Sequence, residues 1–294
     1  GTQTISAAIG ENNAGDASDY FGTINIGNTN NNEVVFNENV YVGNLDIAST
    51  SSFTINSGDT NQVFDISDNV TGNGTLNLTG DAAQTLNFAI GEDGDGNEFG
   101  AINISNTNNN GITFKKDVYA DSINDIVDGG GVTITFSKEG DQIIDSAIGD
   151  SETNFGNIII RSRTGAEFKQ DVYVDNLSIY YDSSYVVGED SGGTDATLSV
   201  SGNIESTDGG GNSVGIIKEA TDVIGILNLT GSTAQTIDAA IGVDIDDKFG
   251  TINVKNTASE GVTFKQDVYV DSLDIADNSF LTLDGDLTFE ISNT

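Results

Sequence analysis

Residues 234–275 read AQTIDAAIGVDIDDKFGTINVKNTASEGVTFKQDVYVDSLDI, and versions of this pattern occur four times along the 294-residue chain. The consensus is A-Q-T-[IL]-x-x-A-I-G, an acidic stretch, F-G-x-I-x-[IV], and [VI]-x-F-x-x-[DN]-V-Y-[VA]-x-x-[LI]-x-[ID]. The four repeats begin near Gln3, Gln84, Gln142 and Gln235. A unit repeated in this way normally stacks on its neighbours, because one unit alone is too small to bury its apolar face. The pattern therefore favours an extended scaffold over an enzyme built around a pocket.

The local pattern within each repeat is that of β-strands. In residues 262–270 (VTFKQDVYV), the Val and Phe side chains share one parity, and the Thr, Lys, Asp and Tyr side chains share the other. A period of two gives a strand one buried and one exposed face. After residues 271–272 the phase shifts by one, so that Leu273 and Ile275 become the inward residues, which indicates a corner. The sequence therefore predicts an all-β fold of short strands joined by Gly, Asn and Asp corners.

The spacing of the repeats separates two candidate architectures. Successive Phe-Gly pairs lie 78, 56 and 94 residues apart. An elongated β-solenoid (β-helix) tolerates this variation because turns can be added without disturbing their neighbours. Tandem β-sandwich domains, the alternative, fit the longer intervals but not the interval of 56 residues. We therefore predict an elongated β-solenoid of four divergent repeats that forms one continuous body over residues 1–294, with repeats at about 1–81, 82–140, 141–232 and 233–294.

Two insertions account for the longer intervals between repeats. They cover about residues 49–80 and 180–231, and both end in the lead-in sequence G-x-L-N-L-T-G, at residues 74–80 and 225–231. Because the insertions share this ending and carry the same alternating pattern, we expect additional turns of the same solenoid and not foreign domains.

The composition excludes several classes of chemistry. The chain contains no His, Cys, Met, Trp or Pro. Catalysis by a His- or Cys-dependent nucleophile is therefore excluded, as are zinc, haem and disulfide sites. Chemistry by a pair of carboxylates stays open, because acidic residues are abundant. Enzymes that process polysaccharides usually line their grooves with aromatic and basic groups, whereas this chain has only two arginines, Arg161 and Arg163. We predict that the protein has no catalytic activity.

The formal net charge of −36 limits the partners of the protein. Nucleic-acid binding needs cationic side chains that displace counterions from phosphates, so we expect no nucleic-acid partner. The longest apolar runs are only a few residues, so we expect no membrane span, which takes about 20. Self-repulsion opposes compaction unless salt screens it or divalent cations bind. We therefore expect a saline or calcium-containing extracellular medium, with the solubility of a β-rich surface as the alternative reason for the charge.

Each repeat places acidic residues between Ala-Ile-Gly and Phe-Gly, and these stretches are candidate calcium loops. Residues 93–98 (DGDGNE) carry oxygen donors at alternate positions, as loops for hard cations do. They lack the Gly at the sixth position and the distal Glu of an EF-hand loop, so they do not form one. The alternative is a solvated acidic loop at a corner. The candidate ligands are Asp93, Asp95, Asn97, Glu98, Asp244, Asp246 and Asp247.

The Val-Tyr pair of each repeat predicts an outward column of tyrosines if the repeats stack in register. Its members would be Tyr41, Tyr119, Tyr173 and Tyr269. Such a column could contact a partner. The alternative is that these tyrosines reflect strand propensity and packing between turns.

The two terminal segments are candidate assembly surfaces. The first repeat begins without the G-x-L-N-L-T-G lead-in, and residues 280–292 (FLTLDGDLTFEIS) alternate strongly with no repeat after them. Open strand edges and apolar end turns are rarely tolerated in a monomer. We therefore expect the tail of one copy to meet the head of the next in a head-to-tail homopolymer. The candidate residues are Gln3, Ile5, Phe280, Leu281, Leu283, Leu287, Phe289 and Ile291.

The motifs Q-T-[IL]-x-x-A-I-G, F-G-x-I-x-V and V-T-F-x-x-D-V-Y-V-x-x-L-x-I resemble the passenger regions of bacterial autotransporter surface proteins, including the rickettsial outer-membrane type. They are also similar to S-layer and adhesin repeat proteins. The resemblance covers nearly the whole chain and implies export, a β-solenoid passenger and a role in coat formation or adhesion. Nothing after Asp286 resembles a translocator barrel, and no catalytic residues transfer from these motifs.

Together these observations predict an extracellular or cell-surface structural protein, the subunit of a self-assembling filament, S-layer or surface coat. The alternative function is that of an adhesin passenger that binds a glycan or a host surface. Polymer formation by the purified chain would favour the first function, whereas a monomer that retains glycan or cell binding would favour the second.

Overall fold

A computed structural model of the chain describes residues 2–10, 20–27, 33–49, 51–57, 63–67, 69–94, 98–108, 111–127, 131–150, 153–161, 166–179, 196–200, 204–205, 216–219 and 225–292. All regular elements in these ranges are β-strands, and the ranges contain no helix that could cross a bilayer. The strands are β1 (Gln3–Ile5), β2 (Phe21–Ile26), β3 (Glu33–Phe36), β4 (Val40–Ile47), β5 (Ser52–Ser57), β6 (Val63–Ile66), β7 (Asn69–Thr71), β8 (Thr75–Gly80), β9 (Gln84–Leu86), β10 (Ala89–Ile90), β11 (Phe99–Asn106), β12 (Ile112–Phe114), β13 (Val118–Asp125), β14 (Thr133–Phe136), β15 (Gln142–Ile148), β16 (Phe155–Ile160), β17 (Ala166–Phe168), β18 (Val172–Ile179), β19 (Ala196–Val200), β20 (Ile204–Glu205), β21 (Ile216–Glu219), β22 (Gly225–Leu229), β23 (Gln235–Asp238), β24 (Ala240–Ile241), β25 (Phe249–Val254), β26 (Val262–Phe264), β27 (Val268–Ile275), β28 (Leu281–Leu283) and β29 (Phe289–Ile291).

The strands pair in parallel and form a β-solenoid of about nine turns, which confirms the predicted fold class. The pairs join strands that are one turn apart, as where Leu76 of β8 lies opposite Ile102 of β11. Tandem β-sandwiches would instead consist of antiparallel strands joined by hairpins and Greek-key connections. The sandwich alternative is therefore wrong, because the chain returns to the same face after each turn and not to the neighbouring strand.

The chain consists of two compact units. Unit 1 comprises Gly1–Thr135 and Asp145–Ala147, and unit 2 comprises Phe136–Ile144 and Ile148–Thr294. In each unit, the strand residues of successive turns lie opposite one another in register and form columns. One such column in unit 1 consists of Ile5, Phe36, Ile55, Leu78 and Ile104. One such column in unit 2 consists of Ile148, Val172, Ile204, Ile237, Phe264 and Leu283.

Each repeat of the sequence builds two stacked turns. In the fourth repeat, the Q-T-I strand β23 lies beneath the V-T-F strand β26, with Gln235 opposite Val262. The A-I strand β24 lies beneath the start of β27, and the F-G-x-I-x-V strand β25 lies beneath the rest of β27. The other three repeats have the same pairing between their two halves. The two halves of the consensus therefore need each other to cover their apolar side chains.

The described strands of the two insertions are additional turns, as the sequence predicted. In unit 1, β5 lies between β3 and β8, and β6 lies between β4 and β9. In unit 2, β19 lies between β17 and β22, and β20 lies between β18 and β23.

The lead-in strands β8 and β22 rotate the following repeat by one face. Each lead-in strand is one strand more than the complete inserted turn that precedes it. Every later strand of the repeat is therefore shifted by one strand position around the solenoid, which is one face of the turn. The Q-T-I strand of the second repeat consequently continues the column of the first repeat's A-I strand, through Ile9, Val40, Phe64 and Leu86. The same shift occurs in unit 2, where the column runs through Ile148, Val172, Ile204 and Ile237.

The Gly of the Ala-Ile-Gly motif is required by the backbone. It has a φ of 68° at Gly91 and 74° at Gly242. A Cβ atom at Gly91 would lie 2.0 Å from the carbonyl oxygen of Tyr119, and one at Gly242 would lie 2.4 Å from that of Tyr269. Both the left-handed conformation and the close approach of the next turn exclude a larger residue.

A buried amide pair explains the Gln of the Q-T-I motif. The Gln84 side chain, 1% exposed, donates to the carbonyl oxygens of Ile55 and Thr79 at 3.1 and 3.0 Å. Asn106 Nδ2 donates to Gln84 Oε1 at 3.3 Å and to the carbonyl oxygen of Ala82 at 2.8 Å. The fourth repeat has an equivalent pair, in which Asn256 donates to Gln235. These amides satisfy the buried backbone groups at the corner between the lead-in and Q-T-I strands.

Candidate functional site at the terminal turns

The first turn leaves an aromatic core position uncovered. Phe21 of the F-G-x-I-x-V motif is 55% exposed, whereas the equivalent Phe99, Phe155 and Phe249 are all 0% exposed. The backbone beside it is equally open. A Cβ atom at Gly22 would meet nothing within 4 Å, whereas one at Gly100 would lie 2.3 Å from the carbonyl oxygen of Gly74. The lead-in strand β8 covers the second repeat here, and no described strand covers the first.

The last turns leave aliphatic and aromatic core positions uncovered in the same way. Ile275 is 44% exposed, whereas the equivalent Ile47 is 0% exposed. Beyond β27, Phe280, Leu283 and Ile291 are 54%, 46% and 41% exposed. Large exposed apolar side chains at equivalent positions that are buried elsewhere are candidates for an interaction surface.

The strands at both terminal turns have an open edge within the described residues. β1 pairs with β3, with Gln3 opposite Val34. β28 pairs with β26, and β29 pairs with β27. No strand of the described ranges pairs with their outer edges, and an open strand edge is a template for another strand.

The predicted assembly residues all belong to these turns. Gln3, Phe280, Leu283 and Ile291 are exposed, and Ile5, Leu281, Leu287 and Phe289 are half-buried.

The terminal segment is held in place by polar contacts. Lys248 Nζ donates to Ser292 Oγ at 3.0 Å, and Ser292 Oγ donates to Asp271 Oδ1 at 2.8 Å.

The predicted tyrosine column is wrong. In unit 1, Tyr41 follows Val40 in the column of Ile9, whereas Tyr119 follows Val118 in the separate column of Ile90. Tyr173 and Tyr269 likewise lie on different faces of unit 2. The physical reason is the one-face rotation between repeats. Tyr119 is also only 9% exposed, so it does not point outward as predicted.

Each of three tyrosines instead has an acidic residue in the following turn. Tyr41 lies opposite Asp65, Tyr173 opposite Glu205, and Tyr269 opposite Glu290. Near Tyr41, burial and a hydrogen bond to Asp65 raise the pKa of Tyr20, whose ring centroid lies 5.8 Å from that of Tyr41. This arrangement favours packing between turns as the role of the repeated tyrosines.

An asparagine ladder occupies an outer face of unit 1, and the sequence analysis missed it. Asn103 Nδ2 donates to Asn77 Oδ1 at 3.2 Å, and Asn124 Nδ2 donates to Asn103 Oδ1 at 3.0 Å. In unit 2, Asn253 donates to Asn228 at 2.9 Å. The shared central Asn of L-N-L in the lead-in and I-N-[IV] in the F-G motif was the available signal.

The acidic loops are only partly described. Asp95 and Asn97 lie outside the described residues, and Asp93 and Glu98 border that gap. In the fourth repeat, Asp244 Oδ1 accepts hydrogen bonds from the backbone N–H groups of Asp246 and Asp247 at 2.8 and 3.1 Å, which closes the turn. The described part of the chain brings no three acidic side chains into a metal-binding group. Calcium binding stays a prediction.

A polar cleft of about 510 Å³ lies in unit 1 where the first insertion meets the second repeat. Amides, hydroxyls and two charged groups line it. The main polar lining residues are Asn44, Ser67, Asn69, Asn87, Glu92 and Lys116. Asn69 Nδ2 donates to Glu92 Oε1 at 3.2 Å across two turns. Such a lining can hydrogen-bond a hydroxylated ligand.

A buried carboxyl group occupies one position of a core column in unit 1. Asp125 is 1% exposed and lies opposite Ile104, at the position where the first repeat has Ile47. Asp125 accepts hydrogen bonds from the N–H groups of Val127 and Val132 at 2.8 and 3.3 Å. Burial raises the pKa of Asp125, although these hydrogen bonds partly oppose the shift. The group holds the corner that follows β13.

No protein-family model matches the chain, and neither a curated protein nor a solved structure shows significant similarity to it.

Proposed function

We propose that this chain is an extracellular structural protein, the subunit of a self-assembling filament, S-layer or surface coat, and that it has no catalytic activity. The exposed core positions at the terminal turns carry the proposal. Positions that neighbouring turns cover completely elsewhere, such as that of Phe99, are more than half exposed at Phe21. Covering a side chain of this size is worth about 1.5–3 kcal/mol, so association of copies through these turns is favourable.

The charge of the chain supports an extracellular setting. With a formal net charge of −36, copies repel one another at low ionic strength. Salt screens this repulsion over about 8–10 Å at physiological concentrations. We therefore expect assembly to strengthen as salt increases, which is typical of a protein that works in a saline medium.

Calcium at the acidic loops belongs to the same proposal. Bound Ca²⁺ would lower the repulsion between carboxylates and stabilise the folded chain by mass action. The test compares thermal melts with added calcium and with excess chelator at constant ionic strength. A lower melting temperature in chelator would support calcium binding, and identical melts would remove it.

A matched pair of variants tests the assembly proposal. Phe21 and Ile245 are both 55% exposed, but Ile245 lies in the acidic loop of the fourth repeat and not on a terminal turn. We expect purified wild-type protein and Ile245→Asp to form polymers in sedimentation velocity and negative-stain images. Phe21→Asp should remain largely monomeric with an unchanged circular dichroism spectrum. Polymer formation by Phe21→Asp equal to that of the wild type would contradict the proposal.

Deletion of residues 281–294 provides a second test, because it removes the exposed β28 and β29. We expect the truncated chain to lose polymer formation while it retains a β-sheet spectrum. Assembly that is unchanged by the deletion would show that these strands have no part in it.

The polar cleft favours a second candidate function, that of an adhesin that binds a surface glycan. Side-chain amides and hydroxyls hydrogen-bond sugar hydroxyls, and the strongly acidic chain disfavours anionic glycans. Neutral oligosaccharides on an array are the probe. We expect Asn87→Ala, which alters the cleft, to weaken binding, and Asn37→Ala, which lies outside the cleft lining, to retain it. An array without a bound neutral glycan would remove this candidate.

A further inference from the structure

The last strand of the chain occupies a position that recurs inside both units. β29 follows the V-Y-V strand of its repeat, with Phe289 opposite Val268. β6 has the same place in the first repeat, where Phe64 lies opposite Val40. β20 has it in the third repeat, where Ile204 lies opposite Val172. These three strands are therefore equivalent.

In both interior cases, the next strand on the outer edge is the Q-T-I strand of the following repeat. Leu86 of β9 lies opposite Phe64, and Ile237 of β23 lies opposite Ile204. The register is the same in the two cases: the last residue of Q-T-[IL] lies opposite the residue of β6 or β20 that itself pairs with the Val of the Val-Tyr motif. Two independent copies of this junction define the pairing rule.

The first strand of the chain lacks the neighbour that this rule supplies. β1 is a Q-T-I strand, and its inner pairing with β3 matches that of β9 with β12 and β23 with β26. β9 and β23 each also pair with a strand on the other edge, whereas β1 has no second neighbour among the described residues. β29 likewise has no described strand on its outer edge.

We propose that β1 of one copy pairs in parallel with β29 of a second copy, with Ile5 opposite Phe289 and Ser6 opposite Glu290. This inference rests on the proposed self-assembly and specifies its contact. The two apolar side chains are half-buried in the single chain and would complete a column, as Leu86 does over Phe64. The contact is heterologous, so each added copy leaves the same two edges open and growth continues.

Cysteine cross-linking tests the register, because the chain contains no Cys of its own. Parallel neighbours lie about 4.8 Å apart, within the range of Cα separations of about 4.4–6.8 Å that a disulfide spans. The test variant carries Ser6→Cys and Glu290→Cys. The control carries Thr4→Cys and Glu290→Cys. Residue 4 lies on the same side of the strand as residue 6, but two residues, or about 6.6 Å, further along it.

We expect the test variant to give a ladder of covalent oligomers under mild oxidation, at least about tenfold faster than the control. A mixture of the Ser6→Cys and Glu290→Cys single variants should give covalent dimers, which identifies the bond as intermolecular. Polymers that form without faster cross-linking of the test variant would overturn the register but leave the assembly proposal intact. Absence of polymers in sedimentation velocity would overturn both.

Discussion

The second repeat and the first turn of unit 1 contain the same motif in two different environments. Around Phe99 the lead-in strand β8 lies against the F-G-x-I-x-V strand, and the phenyl ring is fully buried. Around Phe21 no described strand occupies that place, and the ring is 55% exposed. The residues are identical, so their burial depends on the neighbouring turn and not on the motif itself. A turn of this fold therefore needs a neighbouring turn to bury its own core residues.

Replacement of the two phenylalanines tests this difference with the largest expected effect. Phe99→Ala should lower the free energy of unfolding by about 3–5 kcal/mol, because it leaves a cavity in a closed core. Phe21→Ala should lower it by less than about 1 kcal/mol, because solvent already reaches the ring. Urea denaturation of dilute, monomeric protein measures both values. Equal losses would show that the two turns are covered alike.

The glycines next to the two phenylalanines differ in the same way in how closely another backbone approaches them. Gly100→Ala should destabilise the protein by about 1–3 kcal/mol, because the new methyl group would lie 2.3 Å from the carbonyl oxygen of Gly74. Gly22→Ala should be neutral or stabilise by a few tenths of a kcal/mol, since nothing lies within 4 Å and the unfolded chain loses entropy. Thermal melts measure the two variants, and a lower melting temperature for Gly22→Ala would show that the backbone at Gly22 is also covered.

The recurring place of Gln in the repeats allows a third comparison. Gln84→Ala removes two donors to buried carbonyl oxygens and should destabilise by about 1–3 kcal/mol. Gln3→Ala should change stability by less than about 0.5 kcal/mol, because Gln3 is exposed. The measurement is urea denaturation below the concentration at which copies associate. An equal decrease in the free energy of unfolding for the two variants would mean that Gln3 is buried and hydrogen-bonded as Gln84 is.

Asp125 gives the smallest expected effect, and that effect depends on pH. Its pKa is raised in the folded state, so the folded chain holds this proton more tightly than the unfolded chain does. The contribution of Asp125 to stability therefore decreases as the pH rises from the ordinary aspartate pKa through the raised value. Asp125→Asn should become more stable relative to the wild type over that interval. A stability difference that is constant with pH would contradict the shift.

The fold class was predictable because alternation with a period of two appears in every repeat. The nature of the insertions was predictable too, since their ends share G-x-L-N-L-T-G with no change of pattern. The way in which the repeats stack was not predictable, because the alternating pattern identifies strands but does not give the number of strands in one turn of the solenoid. The tyrosine column failed for that reason: one extra lead-in strand moves Tyr119 to a different face from Tyr41.

The terminal site was partly predictable from the sequence. The absence of a lead-in before Gln3 and the strong alternation after Phe280 indicated open edges, and both segments have them within the described residues. The exposure of Phe21 was not predictable from the sequence, because the same motif is buried in the other three repeats. Only the pairing of β2 with a single described neighbour, β4, reveals it.

Hydrogen exchange at low and high protein concentration measures whether a second copy covers the terminal turns, because it reports on terminal and interior strands in one experiment. If terminal turns are covered by a second copy, the amides of Gln3–Ile5 and Phe289–Ile291 should exchange more slowly as concentration rises. Interior strands such as Gln84–Leu86 should be protected equally at both concentrations. Terminal amides that exchange rapidly at every concentration, in samples that contain polymers, would contradict the account.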